Sequence, residues 1–348
     1  MSNCNNIEVS DFIAQLLHPN VVVEISCFSL TQNFWDCLIQ IGSSQLVLPA
    51  IYGSLKRKNL HLHAPKDLMS YLQKISNLNN ERNSAILKQL DFLSKIFNAH
   101  QIDYVFLKGA AMLVTKPYDV MNERMIGDID VLVKEKDVVK AQNLLIKNGF
   151  KAVSKDYDFT KNLDFAKHLE RIVHPKYIAA VEIHRKLLDL TLKKPILSAD
   201  IFKEKVQNAS GYCFPSKKHL WQHAILNWQY NDSGIIQNFL SFRLVVDVLY
   251  LEPKDIVKKI KISSKAVKHF YSLLSLFYNV YPTHYPLMKL RYKLVLKYRI
   301  LKILNRFYFK LRFFMNIGQI RLRSSIYRKR VLSNPKIFIK RFFDFLNK

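Results

Sequence analysis

The stretch FLKGAAMLVTKPYDVMNERMIGDIDVLV, residues 106–133, places two acidic residues, Asp128 and Asp130, two positions apart in an apolar run. In a β-strand alternate side chains share a face, so the two carboxylates point the same way while Ile129 and Val131 face the core. Carboxylates this close repel each other unless a cation lies between them, and Mg²⁺ prefers carboxylate and phosphate oxygens. The pattern predicts either a metal site or a strand edge with two solvated acids.

A second apolar run, AAVEIHRKL at residues 179–187, favours the metal site. It places Glu182 between two apolar residues that face the other way, so a third carboxylate can reach the same point. Three acids on adjacent strands can hold two Mg²⁺ ions that act on an attacking hydroxyl and a triphosphate. We therefore expect Asp128, Asp130 and Glu182 to share one site.

The segments FLKGAAML, RMIGDIDVLV and VEIHRKL, in this order, resemble the uncharacterised bacterial nucleotidyltransferase family of the DNA polymerase β superfamily. Members of that family read roughly L-K-G-x-A-L, R-x-x-x-D-I-D-L-L-V and E-L-H-W, and the resemblance covers residues 102–188. It implies an α/β fold, with a polymerase β-like core and a small mixed sheet flanked by helical N- and C-terminal regions. It also implies that the catalytic metal ligands, for two Mg²⁺ ions, are Asp128, Asp130 and Glu182.

Four residues within these motifs are candidate nucleotide contacts. Lys108 and Gly109 form a predicted strand-to-helix turn, which offers a cation and backbone N–H groups to phosphates. Arg124 lies just before the acidic pair, and it either meets a phosphate or forms an ion pair with one of the acids. His184 shares a strand face with Glu182, where it orients that carboxylate, contacts the acceptor or is a structural histidine. The sequence leaves these alternatives open.

Three other histidines are not assigned to the site. By the resemblance, His168 lies near the variable region that binds the acceptor in the family. His219 and His223 are four residues apart, the spacing of a zinc pair on a helix, but no glutamate follows the first and no third ligand is evident. We therefore interpret His219 and His223 as packing residues.

The chain of 348 residues, 49% of them hydrophobic, is typical of a globular protein with more than one domain. Apolar residues at helical spacing predict helices up to about residue 98, and helices again after Pro195. Strands alternate with helices in between, which indicates an α/β domain. We predict four regions: a helical N-terminal region at 1–98, the nucleotidyltransferase core at 99–190, a helical region at 191–288, and a basic amphipathic helical C-terminal region at 289–348.

Within the α/β region, three strands are predicted, at Tyr104–Leu107, Ile129–Val133 and Ala179–Ile183. Asp137 is the predicted N-cap of a helix, and Gly149 is predicted to end that helix in a left-handed turn.

Positive charge is concentrated at the C-terminal end. The chain has a formal net charge of +27, and residues 289–348 hold 18 lysines or arginines but a single acid, Asp344. Residues 290–311, drawn as one helix, separate basic from apolar side chains. This pattern indicates RNA or an anionic membrane surface as a partner. A lysine-rich composition of the source proteome, or an ordinary surface helix, would also produce it.

The cysteines and the N-terminus suggest a cytoplasmic protein, with peripheral attachment to a membrane as an open alternative. Cys4, Cys27, Cys37 and Cys213 are scattered without a C-x-x-C pair, so we expect four free thiols. The first residues, MSNCNNIEVSDF, do not resemble a signal peptide, and no run of 18 apolar residues indicates a membrane span.

The expected function is a Mg²⁺-dependent nucleotidyltransferase that moves a nucleoside monophosphate from an NTP to a hydroxyl or phosphate acceptor. Two alternatives are a toxin-like enzyme that modifies RNA or tRNA, and a catalytically inactive nucleotide-binding module. Retention of three mutually repelling carboxylates argues against the inactive module. The sequence names neither the acceptor nor the preferred nucleotide.

Overall fold

The computed structural model describes residues 6–115, 121–153, 167–188, 196–232, 234, 240–256, 258–259 and 263–278. The chain divides into two compact units. The first contains residues 1–187, 196–225 and 241–256, and the second contains residues 188–195, 226–240 and 257–348. The predicted division into four regions stays a prediction, and the basic region 289–348 lies outside the described residues.

Within the described residues, the predicted helical region before the sheet consists of four α-helices: α1 (Asn6–Leu17), α2 (Gln32–Ser44), α3 (Leu48–Arg57) and α4 (Lys66–Ala99). Thr31 is the N-cap of α2, because its side-chain oxygen accepts a hydrogen bond from the Phe34 N–H at 3.3 Å. The long helix α4 buries apolar side chains at helical spacing, among them Leu72, Leu90 and Leu93. The same buried stripe also carries asparagine and glutamine side chains, whose hydrogen bonds are described with the site.

A five-stranded mixed sheet follows: β1 (Tyr104–Leu107), β2 (Ile129–Val133), β3 (Lys151–Ala152), β4 (Ile172–Val173) and β5 (Val181–His184), in the order β1-β2-β5-β4-β3. Strand β2 runs parallel to β5 and antiparallel to β1. Every residue of β1, β2 and β5 is buried, so these strands lie at the centre of the core. The first two predicted strands are confirmed residue for residue, whereas the third begins at Val181 and includes His184. The mixed α/β fold is therefore confirmed.

Helix α5 (Lys108–Thr115) follows β1 without a linker, and α6 (Val138–Lys147) follows β2 through a 3₁₀ turn, Glu135–Asp137. Asp137 is at the N-cap position of α6, as predicted, but its side chain makes no capping hydrogen bond. Since the 3₁₀ turn runs directly into α6, Asp137 has helix-like dihedrals rather than the extended conformation of a capping residue. The predicted left-handed turn is confirmed at Gly149, with φ of 93°.

The later elements are α7 (Ser198–Lys203), β6 (Val206–Gln207), β7 (Cys213–Phe214), α8 (Lys217–Leu226), α9 (Phe242–Leu251) and α10 (Lys265–Leu274). The helices confirm the predicted helical pattern after Pro195. The antiparallel hairpin β6–β7 was not predicted, because strands of two residues are too short to show alternation. In the second unit, the Gln229 side chain donates to the Ala266 carbonyl oxygen of α10 at 3.0 Å.

No helix in the described parts of the chain is both long enough and apolar enough to cross a membrane. Cys27 and Cys213 are free thiols, as expected. Cys37 is in a disulfide, so the expectation of four free thiols is wrong at this residue. Spacing along the sequence does not reveal which cysteines the fold brings together. Cys4 lies outside the described residues.

Candidate functional site

The three acidic side chains meet where β2 and β5 run side by side. The parallel register sets Asp130 opposite Glu182, and Asp128 immediately precedes β2. Because side chains alternate along a strand, all three project from the same face of the sheet. Asp130 and Glu182 are buried, whereas the side chain of Asp128 is 33% exposed. The arrangement has a closed inner end at Asp130 and an open outer end at Asp128.

Two cationic side chains contact these acids. Arg171 bridges the outer pair, because its Nη2 donates to Asp128 Oδ2 at 3.0 Å and to Glu182 Oε1 at 2.9 Å. Lys108 contacts the inner acid, with its Nζ 2.5 Å from Asp130 Oδ1. The repulsion expected from the sequence is therefore balanced by two cations that belong to the protein itself.

Two histidines complete the cluster. Nε2 of His184 lies 2.7 Å from Asp130 Oδ1 and 3.6 Å from Glu182 Oε2. Nε2 of His168 lies 3.8 Å from Glu182 Oε2, and the two imidazole rings are 4.9 Å apart between centroids. The second ring nitrogen of His184, Nδ1, is buried and has no hydrogen-bond partner within the described ranges. His184 therefore turns its Nε2 toward the acids.

The charge state of each acid follows from these contacts. Burial and the neighbouring acids raise the pKa of Asp128, and Lys108 and Arg171 only partly oppose them. Burial also works against ionisation of Asp130, but the hydrogen bond with His184 and the charge of Lys108 outweigh it and hold the pKa well below its usual range. The same balance, with His184 and Arg171 opposing burial, lowers the pKa of Glu182 to about 2. The two buried acids are therefore carboxylates at neutral pH.

The pKa of His184 shifts upward. Burial lowers its pKa, but the contacts with Asp130 and Glu182 outweigh burial, and the net shift is upward. The protonated imidazole is thus favoured, with Nε2–H donating to Asp130.

The junction of β1 and α5 lies at Lys108, the residue whose side chain contacts Asp130. Lys108 has φ of 48°, in the left-handed region that residues with a side chain rarely adopt. This conformation lets α5 begin directly after the strand. A Cβ atom at Gly109 would lie 3.2 Å from Ile126 Cγ2, so the position favours glycine through close packing. Of the predicted nucleotide contacts, Lys108 thus contacts Asp130, and Gly109 follows it as the second residue of α5.

Arg124 is held elsewhere in the first unit. Its Nε and Nη2 donate to the two carboxylate oxygens of Asp247, in α9, at 2.7 and 2.8 Å. Its Nη1 donates to the Met125 carbonyl oxygen at 2.5 Å. The ion pair that the sequence suggested with Asp128 or Asp130 is therefore wrong in its partner, because Arg124 pairs with Asp247 instead. The role of Arg124 in nucleotide binding stays a prediction.

Helix α4 holds the loop that leads into β2. The side chains of Asn79 and Asn83 donate to carbonyl oxygens of residues 121, 122 and 124 at 2.6–3.2 Å. Arg82 donates to the carbonyl oxygens of residues 126 and 127, both at 3.0 Å. These bonds fix the backbone just before Asp128. The helix therefore positions the outer acid of the site.

The same helix fixes the entry to β5. The Gln89 side chain donates to the Ala179 carbonyl oxygen at 2.8 Å and accepts from the Ala179 N–H at 3.1 Å. The roles of these α4 residues were not predicted from the sequence. The available signal was polar side chains at positions 79, 83 and 89, within an otherwise apolar stripe of helical spacing.

Arg171 was also missed. Strand β4 is antiparallel to β5 with Ile172 opposite Val181, which brings the preceding residue, Arg171, beside Glu182. Reading residues 171–183 as a hairpin would have revealed this neighbour. Both strands in it are short, so the sequence gives that hairpin only a weak signal.

His219 and His223 are both buried, in agreement with packing. His219 Nδ1 lies 3.2 Å from Ser216 Oγ. Burial, followed by the charges of Lys108 and His184, lowers the pKa of His223 to about 3. His223 is thus a neutral imidazole in the folded protein near pH 7.

The donor set fits a divalent metal ion. Asp130, Glu182 and His184 each offer one ligand atom, and these atoms lie within 4.8 Å of one another. Two carboxylates and a neutral imidazole form a ligand set that hard and borderline divalent ions accept, and metal binding through His184 would release its proton. Asp128, next to Glu182 through Arg171, adds a further carboxylate at the open end.

Residues 31–235 match the model of a family described as "Uncharacterised nucleotidyltransferase", which is more than half of the chain. The matched range contains the three acids, Lys108 and Arg171. No curated protein matches the chain.

Proposed function

Because the chain belongs to the family of uncharacterised nucleotidyltransferases, we propose that it transfers a nucleoside monophosphate from an NTP to a hydroxyl or phosphate acceptor. The observation that carries this proposal is the meeting of Asp128, Asp130 and Glu182 on one face of two parallel strands. In the reaction, an acceptor oxygen forms a bond to the α-phosphorus of the NTP. The bond between that phosphorus and the β-phosphate oxygen breaks, pyrophosphate leaves, and a hydroxyl acceptor loses its proton to solvent.

The three acids are the proposed ligands of Mg²⁺, with two ions as in the two-metal scheme. When bound, the metal supplies Lewis-acid activation of the acceptor oxygen and neutralises charge on the triphosphate. Asp130 is suited to a ligand role because its low pKa keeps it ionised, and the hydrogen bond with His184 fixes its orientation. Glu182, opposite Asp130, is the acid that we assign mainly to activation of the acceptor.

The nucleotide phosphates are the proposed ligands of the β1–α5 turn. Lys108 brings its ammonium group to the inner end of the site, and the first N–H groups of α5, from Gly109 onward, favour a negative charge. His184 supports this arrangement indirectly, by orienting Asp130. Arg124 and His184 remain proposed contributors to nucleotide binding.

Partners beyond the NTP are proposed from charge alone. The basic residues 289–348 suit an RNA acceptor or attachment to an anionic membrane surface. A cytoplasmic location suits a supply of NTP and Mg²⁺.

Substitution of the acids tests catalysis against binding. Glu182→Gln should keep most of the affinity for a non-hydrolysable NTP analogue but lose roughly 10²-fold or more in turnover, the scale of removing one activating group. Asp130→Asn should lose both affinity for the analogue and turnover, because it removes a metal ligand at the inner end. The two quantities are measured by isothermal titration and by pyrophosphate release with each NTP and a panel of acceptors.

Asp91→Asn is the matched control, because Asp91 is a half-exposed acid that pairs with Lys95 on α4. It should leave both quantities unchanged. Full turnover by Glu182→Gln would remove Glu182 from the mechanism. NTP binding by the unmodified protein, without pyrophosphate release for any acceptor, would instead identify an inactive nucleotide-binding module.

A further inference from the structure

Arg171 joins the two acids at the open end of the site. A single nitrogen, Nη2, donates to both Asp128 Oδ2 and Glu182 Oε1, and Nε adds a second contact to Glu182 Oε1 at 3.2 Å. The guanidinium therefore lies between two oxygens that the proposed function assigns to metal. Its side chain is 50% exposed, compared with 29% for Lys108 and 1% for His184.

We propose that Arg171 takes the place of the metal cation in the free protein, and that its guanidinium moves to the NTP phosphates when metal and nucleotide bind. This inference rests on the proposed function. It goes further by assigning a phosphate-binding residue that the sequence motifs do not contain, and by giving the free site a cation that competes with metal.

Competition follows from the shared oxygen atoms. The N–H groups of Arg171 point at the lone pairs of Asp128 Oδ2 and Glu182 Oε1, which a bound ion would need. A guanidinium and a divalent cation at the same pair of oxygens also repel each other. Metal binding at these atoms therefore requires the side chain of Arg171 to leave them.

Arg171 is the cation best able to move. The backbone at this residue is fixed, since its carbonyl oxygen accepts from the Val153 N–H at 3.2 Å and the next residue begins β4. The side chain is long and half exposed, so it can change rotamer without disturbing the core. Lys108, in contrast, contacts the buried inner acid.

The triphosphate is a suitable destination for the displaced guanidinium. The planar N–H donors of a guanidinium bind phosphate oxygens in pairs, and the guanidinium keeps its charge at any accessible pH. Charged hydrogen bonds to phosphate oxygens thus replace the two carboxylate contacts that Arg171 gives up. The nucleotide then gains affinity from a residue that, without nucleotide, weakens metal binding.

Two binding measurements on the full-length protein test this exchange. Without nucleotide, Arg171→Ala should bind Mn²⁺ roughly tenfold more tightly than the unmodified protein, because one nearby positive charge is gone. Isothermal titration or electron paramagnetic resonance measures this affinity. With saturating Mg²⁺, the same variant should bind a non-hydrolysable NTP analogue roughly tenfold more weakly, the scale of one charged hydrogen bond.

Two further variants make the test specific. Lys95→Ala removes the same charge from an exposed position of α4 and should change neither affinity. Arg171→Lys keeps the charge but not the paired donors, so its Mn²⁺ affinity should stay close to that of the unmodified protein while NTP affinity falls. Thermal unfolding in a chelator, then with Mn²⁺, shows whether each variant is folded. Mn²⁺ should raise the unfolding temperature of Arg171→Ala more than that of the unmodified protein.

Equal or weaker Mn²⁺ binding by folded Arg171→Ala would overturn the competition and leave Arg171 as a structural ion pair. Unchanged affinity for the NTP analogue in that variant would overturn its movement to the phosphates. If the unmodified protein binds Mn²⁺ but no NTP, the proposed function and the phosphate role fail together, and the metal titration still decides whether Arg171 competes.

Discussion

A buried histidine makes the stability of this protein depend on pH. His223 is fully enclosed, its Nε2 has no hydrogen-bond partner within the described ranges, and burial is the main reason that its pKa falls to about 3. The unfolded chain takes up a proton at an ordinary histidine pKa of about 6.5, whereas the folded protein does not. The unfolded state therefore binds more protons between these two pH values, and stability decreases as pH falls through this window.

Replacing this residue should flatten that dependence. His223 costs about 1.4 kcal/mol of stability for each pH unit below its unfolded pKa, down to its folded pKa. His223→Leu should lose less stability than the unmodified protein between pH 7 and pH 5. Urea unfolding of both proteins at the two pH values measures the difference. The pKa of His18 is also lowered, to about 4, and its contribution is common to both proteins. Parallel pH dependences would exclude His223 as the source.

At the scale of elements, α4 is the support on which the site is built. It donates side-chain hydrogen bonds to the loop before β2 through Asn79, Arg82 and Asn83, and it pairs with the backbone before β5 through Gln89. The pairing of β2 with β5 sets the register of the acids, but α4 holds the backbone just before each of these two strands. Positions of Asp128 and Glu182 therefore depend on a helix that contributes no acid.

Removal of one of these donors should affect both stability and metal binding. Asn83→Ala removes a buried side chain that donates to two carbonyl oxygens, so we expect a loss of about 1–3 kcal/mol in the free energy of unfolding. The Mn²⁺ affinity should also fall, because the loop that carries Asp128 is less well fixed. Urea unfolding and metal titration measure the two effects. Asn80→Ala, an exposed position of the same helix, is the control and should change neither.

Loss of stability in Asn83→Ala with unchanged Mn²⁺ affinity would show that α4 supports the fold without positioning the acids. Equal stability of Asn83→Ala and Asn80→Ala would contradict the contribution of these hydrogen bonds altogether.

At the scale of the whole molecule, charge is the most uneven property. The region 289–348 carries well over half of the net charge of +27, and it lies outside the described residues. Deletion of this region should reduce retention on RNA or on vesicles that contain anionic lipid, and the difference should shrink as salt rises, because counterions screen the attraction. Co-sedimentation of both proteins with RNA, anionic vesicles and neutral vesicles measures it. Equal binding by the full-length and shortened proteins at low salt would contradict a role for this charge.

The sequence by itself determined the elements whose signals are local. Strands β1 and β2 were predicted residue for residue, because short apolar runs next to Lys108-Gly109 and the acidic pair leave little freedom in their bounds. The helical regions before and after the sheet followed from helical spacing, and the turn at Gly149 from glycine's tolerance of positive φ. The order and spacing of three motifs indicated the family. Strand alternation alone placed Asp128 and Asp130 on one face, whereas the pairing of β2 with β5 placed Glu182 beside them.

Only the tertiary structure decided what surrounds those carboxylates. Arg171 reaches Asp128 from 43 positions away, and Arg124 pairs with Asp247 at a separation of 123 positions. Such contacts arise from the pairing of β4 with β5 and from the packing of α9 within the first unit, and no local pattern encodes them. The partner of a charged side chain depends on which other charge the fold brings within a few ångströms, since burial makes an unpaired charge too costly to keep.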